Sequence, residues 1–189
     1  LRKSGKAQTR SAKTELAKRS ISAPGRPYRV IDGRIVACAM SGSLMNPLPA
    51  DWEGGTAKDG DIVRRRWLLI DCDPQRKGNV SATDAEKALA EERMFAVATF
   101  LESQGWPMSI IADSGNGWHL LYRIDLPADD GGLVARVLKA LALMFSDEQV
   151  DIDTKVGNAS RICKLYGTVA AKGVNTPERP HRVSKITTI

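Results

Sequence analysis

Cysteine, histidine, aromatic residues and long apolar runs are all scarce in this chain, and each scarcity excludes something. There are three cysteines, Cys38, Cys72 and Cys163. They are far apart, odd in number and never spaced C-x-x-C, which argues against a structural zinc site or a disulfide framework and fits a reducing, cytoplasmic compartment. Two histidines occur, His119 and His181, in no H-x-H pair. No apolar run approaches the ~20 residues that span a bilayer. The first twenty residues are polar and lack the apolar stretch of a secretory signal, so no membrane association is expected. Aromatics make up 5% of the sequence and do not gather on one strand, which disfavours a single-strand-binding surface built from stacked rings. Leu1 stands where a start Met would, as expected for a piece of a longer protein.

Charge is present in quantity, and its placement is informative. Residues 1–20 hold seven Lys/Arg and one acid, as do residues 155–189, so each end carries +6. The stretch between them, with 14 basic and 20 acidic residues, carries −6. A polyanion would be drawn to the ends and repelled by the centre unless metal ions neutralised part of it. At 189 residues the chain can build one well-cored domain. Residues 1–26 read as a basic arm or linker with one or two helical turns at Ser11–Arg19, and residues 27–189 as the domain.

The most informative stretch is Arg66-Trp67-Leu68-Leu69-Ile70-Asp71-Cys72-Asp73-Pro74. Its unbroken apolar run predicts a strand covered on both faces, which Pro74 ends by removing a ladder donor. Side chains alternate along a strand, so Asp71 and Asp73 share one face and Cys72 takes the other. Two like charges fixed a few Å apart invite a hard divalent cation such as Mg2+ or Mn2+, which takes carboxylate oxygens. A solvated acidic turn is the competing reading of the same residues.

The pattern around it predicts an α+β fold. Asp32-Gly33 between apolar runs predicts a hairpin over 28–40. Residues 41–60 read as loop, Arg64-Arg65-Arg66 as phosphate contacts or as a solvated strand start, and 75–80 as a turn. Ser81 or Thr83 can cap a helix running to about Gln104, with Glu86 in its first turn and Ala85, Ala88, Leu89, Phe95, Ala96 and Phe100 on the apolar face. Strands follow at 108–113 and 118–125. A second helix at 132–146 should bury Leu133, Val137, Leu141 and Met144. Asp151 and Asp153 form another alternating carboxylate pair. A basic strand at 161–168 and a proline-rich cationic tail close the chain.

Ser114-Gly115-Asn116-Gly117 separates two of these strands. A glycine-rich hairpin can leave backbone N–H groups free for a phosphate oxygen. With 115–118 as the loop, Ser114 and His119 would face each other and complete a triphosphate clamp. An ordinary Asn-Gly turn followed by a satisfied histidine is the alternative.

Three separated pieces then fall into a recognisable order. They are Asp71-x-Asp73 after an apolar strand, Ser114-Gly-Asn-Gly-Trp-His119, and Asp153 followed by Asn158, Arg161, Lys164, Gly167-Thr168 and Lys172-Gly173. Over about residues 64–185 the chain resembles the archaeo-eukaryotic primase superfamily. It looks most like the primase-polymerases of phage, plasmid and other mobile elements, including those found with CRISPR loci. The resemblance implies an RRM-like catalytic subdomain packed with an N-terminal α/β part, to which the 28–40 hairpin would belong. It implies a nucleotidyltransferase that makes or extends primers on single-stranded DNA from NTP or dNTP, with a helicase or other domain compatible with a longer parent chain. Asp71, Asp73 and Asp153 would hold two Mg2+ or Mn2+ ions. Asp151 competes for the third position, and Asp153 is preferred because the family pattern counts five residues from that Asp to the Asn at 158. Ser114, His119 and the Gly115 and Gly117 amides would hold the triphosphate, with Arg161, Lys164 and Lys172 balancing phosphate charge.

Three rivals fit less well. A non-catalytic strand-binding module lacks the aromatics. A rolling-circle nuclease lacks paired histidines. A sugar transferase using Asp-x-Asp has no use for the Ser114–His119 turn.

Overall fold

The structure is a computed structural model, and it describes residues 29–31, 34–36, 42–53 and 56–188. The basic arm at 1–26, the Asp32-Gly33 turn and Cys38 lie outside the described residues. Two short strands, β1 (Arg29–Ile31) and β2 (Arg34–Val36), pair antiparallel on either side of that turn.

The architecture is α+β, with two helices and an antiparallel five-stranded sheet among the described residues. A further short strand, β3 (Gly42–Leu44), lies where a loop is expected. Then come β4 (Arg64–Pro74), α1 (Asp84–Ser103), β5 (Ile110–Asp113), β6 (Trp118–Pro127), α2 (Leu133–Phe145) and β7 (Val150–Ile152). The chain finishes with β8 (Ile162–Lys164), β9 (Val169–Ala170), β10 (Arg182–Val183) and β11 (Lys185–Thr188). The sheet order is β11-β5-β6-β4-β7. The four strands β5-β6-β4-β7 therefore follow a β-α-β-β-α-β connectivity, with β4 between β6 and β7. The pairs β3–β8 and β9–β10 stand apart from the sheet.

Strand β4 holds the fold together. Leu68, Ile70 and Cys72 are buried on the face that the helices cover, beside Leu120 and Tyr122 of β6. Each such fully buried apolar side chain contributes about 1.5–3 kcal/mol. Trp67, Leu69, Asp71 and Asp73 project from the opposite face. No helix of the described residues is long and apolar enough to cross a membrane.

Helix α1 starts as its sequence indicates. Thr83 Oγ1 accepts from the Glu86 N–H at 3.1 Å, and the Glu86 carboxylate accepts from the Thr83 N–H at 2.8 Å, a reciprocal capping box. Its buried face differs from expectation. Ala90, Met94, Val97 and Leu101 face the core, and Phe95 is 51% exposed. Apolar residues surround much of this helix, so periodicity does not single out one face. Phe100, from the expected face, packs sideways against Phe145 of α2 at 5.5 Å between ring centroids. In α2 the buried set is Val134, Leu138 and Leu141, while Leu133 and Met144 are exposed. Leu141 is thus buried as expected and Val137 half-buried, while packing against the sheet takes Val134 and Leu138 in place of Leu133 and Met144.

The three arginines that open β4 are structural. Arg64 and Arg66 both ion-pair with Asp125, and Arg65 donates to the carbonyls of Ala128 (3.0 Å) and Gly157 (2.9 Å). Asn46 pins the preceding loop to the strand, accepting from the Arg66 N–H at 2.7 Å.

Candidate active site

The ladder register brings the aspartates together. Asp73 stands opposite Asp151, and Cys72 opposite Ile152. One step further, the Asp153 N–H donates to the Asp71 carbonyl at 3.0 Å. Residues opposite each other on paired strands share a face, so Asp71, Asp73 and Asp153 converge at the open end of β4. Asp151 is turned partly to other work, its Oδ1 accepting from Ser146 Oγ at 3.0 Å.

These three aspartates line a cleft of about 490 Å³ together with Ser114, His119, Arg161, Lys164 and Lys172. Of the residues that the resemblance nominates, Gly115, Gly117 and the alternative Asp151 do not line this cavity, and the others do. A second cleft of about 330 Å³ adjoins it, sharing Asp71, Asp73, Asp153 and Lys172 and bounded by the 74–80 turn and Asp151.

His119 is opposite Asp71 on β6, with Nε2 at 3.4 Å from Asp71 Oδ1. Burial alone would strip the imidazole of its proton, but the Asp71 carboxylate more than reverses this and raises the pKa to about 10. Its Nδ1 lies 2.7 Å from the Tyr166 hydroxyl, which in turn is 3.4 Å from Cys163 Sγ. The Tyr166 phenol is itself pushed up, by burial first and then by Cys163. Both ring nitrogens of His119 therefore have neighbours, and the Nε2 contact is an ion pair longer than a normal hydrogen bond.

The two strand-end carboxylates are unequal. Burial would raise Asp71, but His119, with Lys172 and Arg76 behind it, brings the carboxyl below its ordinary value. Asp73 is raised, by burial first and then by the Asp71 charge, and Arg76 and Lys172 offset this only in part. The positive charge beside Asp73 thus falls short of offsetting its burial and the Asp71 charge, which suits a hard divalent ion taking oxygen donors. Among the described residues no three His, Cys, Asp or Glu side chains already close on a common point. The carboxylates stand around an open mouth.

Sequence reasoning missed Arg76. Its guanidinium, 6% exposed, donates to Asp73 Oδ1 (3.0 Å), the Pro74 carbonyl (2.9 Å) and the Val80 carbonyl (3.1 Å). An arginine three residues after an Asp-x-Asp strand end was the available signal, hidden by reading 75–80 as a plain turn. Asp59 was missed as well. One of its oxygens accepts from Asn158 Nδ2 (3.1 Å), the Ser160 N–H (2.8 Å) and Ser160 Oγ (2.7 Å), bracing the segment that carries Arg161.

The glycine turn is built differently from expectation. Ala112, not Ser114, stands opposite His119, and Asp113 pairs with Trp118, leaving 114–117 as the loop. The Gly115 N–H donates to Asp113 Oδ1 at 2.7 Å and the Gly117 N–H to Ser114 Oγ at 2.9 Å. These two amides are therefore spent on the turn itself and do not form a phosphate nest. The glycines serve close approach instead. A Cβ on Gly117 would lie 2.4 Å from the Cys72 carbonyl, and one on Gly115, at φ +95°, would lie 2.5 Å from Ala170 Cβ. Asn116 is buried, its Oδ1 accepting from the Ala82 N–H at 2.8 Å.

The basic residues divide. Arg161 lines the cleft with its guanidinium engaged by Asn158 Oδ1 (2.8 Å) and the Lys155 carbonyl. Lys164 donates to the Val169 carbonyl at 3.1 Å, and burial followed by Lys172 lowers its pKa. The expected strand around it is reduced to β8, which pairs with β3. In the cationic tail, Arg179 and Arg182 are bound to Glu86 and Asp84 at the start of α1.

No protein-family model matches the chain, and neither a curated protein nor a solved structure matches it.

Proposed function

We propose that the protein is a metal-dependent nucleotidyltransferase of the primase-polymerase type, joining NTP or dNTP on a single-stranded DNA template. The observation that carries the reading is the convergence of Asp71, Asp73 and Asp153 at one cleft mouth, with His119, Ser114 and Lys172 in the same cavity. The β-α-β-β-α-β connectivity supports it, being that of the split βαβ unit on which RRM-like catalytic sheets are built. So does the site's position on the sheet face away from the helices.

Asp71, Asp73 and Asp153 are the residues that would hold Mg2+ or Mn2+. When bound, two such ions supply charge neutralisation for the attacking and leaving oxygens of an in-line displacement. The chain's own part is positioning and electrostatics. The protonated His119 presents Nε2 toward the cleft, where a triphosphate can compete with Asp71 for it. Ser114 lines the same cleft, its Oγ accepting from the Gly117 N–H, while Lys172 balances phosphate charge next to the carboxylates. Arg76 keeps Asp73 in place from behind.

A non-catalytic strand-binding module fares worse. On the same sheet face Trp67 is the aromatic in β4, and the Arg123 guanidinium lies 5.4 Å from its ring.

Primer extension with Mn2+ or Mg2+ tests the proposal. Asp71→Ala and Asp73→Ala should abolish synthesis, and His119→Asn should raise the nucleotide KM about 10-fold, the scale of one charge-assisted contact. Wild-type synthesis by either aspartate variant would refute the metal assignment, and an unchanged KM would refute the role of His119.

A further inference from the structure

Residues 169–183 form a hairpin that leaves the cleft and returns to the start of α1. Its base is closed by β9 and β10, with Ala170 opposite Arg182, and by the Ser184 N–H, which donates to the Thr168 carbonyl at 2.9 Å. The tip is tied to itself. Asn175 Oδ1 accepts from the His181 N–H at 2.8 Å, and His181 Nε2 lies 3.0 Å from the Gly173 carbonyl.

Two arginines pin the returning limb. Arg179 donates to both Glu86 oxygens at 2.8 Å each and to the Ser81 carbonyl at 2.7 Å. Arg182 donates to the Ala82 carbonyl at 2.7 Å and to Asp84 at 2.6 Å. The outgoing limb carries Lys172. Its carbonyl accepts from Ser81 Oγ at 3.1 Å, and the next residue, Gly173 at φ +67°, sits where a Cβ would be 2.5 Å from the Asn79 carbonyl. Fully buried Ser81 is thus held by both limbs, by one through its hydroxyl and by the other through its carbonyl.

A lysine side chain is a long flexible stem, and its ammonium is placed only as well as its backbone is fixed. We propose that Arg179 is a positioning residue: through Ser81 and Glu86 it fixes the Lys172 backbone, and so places the ammonium for the phosphates of a bound nucleotide. The proposal rests on the reading of Lys172 as a phosphate-binding cation. Glu86 serves α1 and the hairpin at once, closing the capping box and receiving Arg179, so the strap is attached to a rigid helix end.

The test uses Arg179→Ala, Lys172→Ala and the double variant, with Arg179→Lys as the milder change should Arg179→Ala not fold. Amide hydrogen exchange on the ligand-free protein should quicken at 169–174 in the Arg179 variants, with the interior of α1 unchanged. The nucleotide KM should rise about 10-fold in Arg179→Ala with kcat within about twofold, and the double variant should be no worse than Lys172→Ala, because one residue acts through the other. Unchanged exchange overturns the strap, since that readout needs no nucleotide. A double variant whose loss is the product of the two single losses overturns the link between Arg179 and Lys172. A wild-type chain that binds no nucleotide overturns the reading of Lys172, and the proposal with it.

Discussion

The backbone N–H of Asp153 donates to the carbonyl oxygen of Asp71 at 3.0 Å. This bond carries the β4–β7 pairing one step past the end of β7, and both aspartates line the same cleft. The alternation of Asp151 and Asp153 alone leaves either eligible as the third ligand, and each carboxylate already accepts one local hydrogen bond, Asp151 from Ser146 Oγ (3.0 Å) and Asp153 from the Lys155 N–H (2.8 Å); Asp153 is the one that lines the cleft of about 490 Å³ with Asp71 and Asp73. Asp153→Asn should therefore reduce synthesis by about 10³-fold, the upper range for losing one electrostatic contact to the reacting charge. Asp151→Asn should cost less than about 10-fold. Primer-extension rates for the two variants check this, and equal losses would remove the distinction.

Asp73 predicts a trade of stability for function. Its carboxyl is raised in the folded chain, so its charge opposes folding. That penalty grows as pH rises from the unfolded carboxylate pKa through the raised folded value, and is fully present above it. At pH 7, Asp73→Asn, whose amide oxygen can still accept from Arg76, should raise the Tm of the metal-free protein. It should also shrink the Tm increase that Mn2+ gives. A lower Tm for the variant, or an undiminished Mn2+ effect, would contradict the placement of an ion against Asp73.

His119 predicts a missing titration. Its pKa is raised to about 10 by Asp71 against the pull of burial. Its contribution to stability is therefore fully present below about pH 6.5, the ordinary value for histidine, and is lost as pH rises toward 10. In the metal-free protein the His119 imidazole resonances should stay fixed between pH 5 and 8. In Asp71→Asn, burial acts without that carboxylate and the ring should lose its proton at lower pH. NMR of the ring nitrogens reads both, and a midpoint near 6.5 in the wild-type chain would refute the pairing.

Gly117 predicts a steric effect without any change of charge. A methyl group there would sit 2.4 Å from the Cys72 carbonyl, whereas one on Gly60 would meet nothing within 4 Å. Gly117→Ala should destabilise by about 1–3 kcal/mol, as overpacking does, and Gly60→Ala by less than about 1 kcal/mol. Urea denaturation of the two variants decides it. Equal midpoints would mean that the 114–117 turn does not press on the end of β4.

Much of the scaffold is legible in the sequence because local signals dominate there. The apolar run ending in Asp-x-Asp-Pro gives β4 and the shared face of Asp71 and Asp73. Thr83 and Glu86 mark the start of α1, and the segment for α2 is placed to within a residue. What escapes is set by partners distant in the chain. The buried stripes of α1 and α2 depend on how each helix settles on the sheet. Arg179 meets Glu86, and Ala170 meets Gly115, only after the C-terminal hairpin has folded back. In the turn, the two glycines between Ser114 and His119 suggest open amides, and only the folded turn shows that Asp113 and Ser114 already occupy them.

The claim that everything else depends on is nucleotidyl transfer at the Asp71, Asp73 and Asp153 mouth. It is tested most directly by incubating the protein with single-stranded DNA, labelled nucleotides and Mn2+, with and without a primer, and resolving the products by length. The account predicts new or lengthened strands that disappear with chelator and with Asp71→Asn or Asp153→Asn. No product under any of these conditions, or product that survives those substitutions, would contradict it.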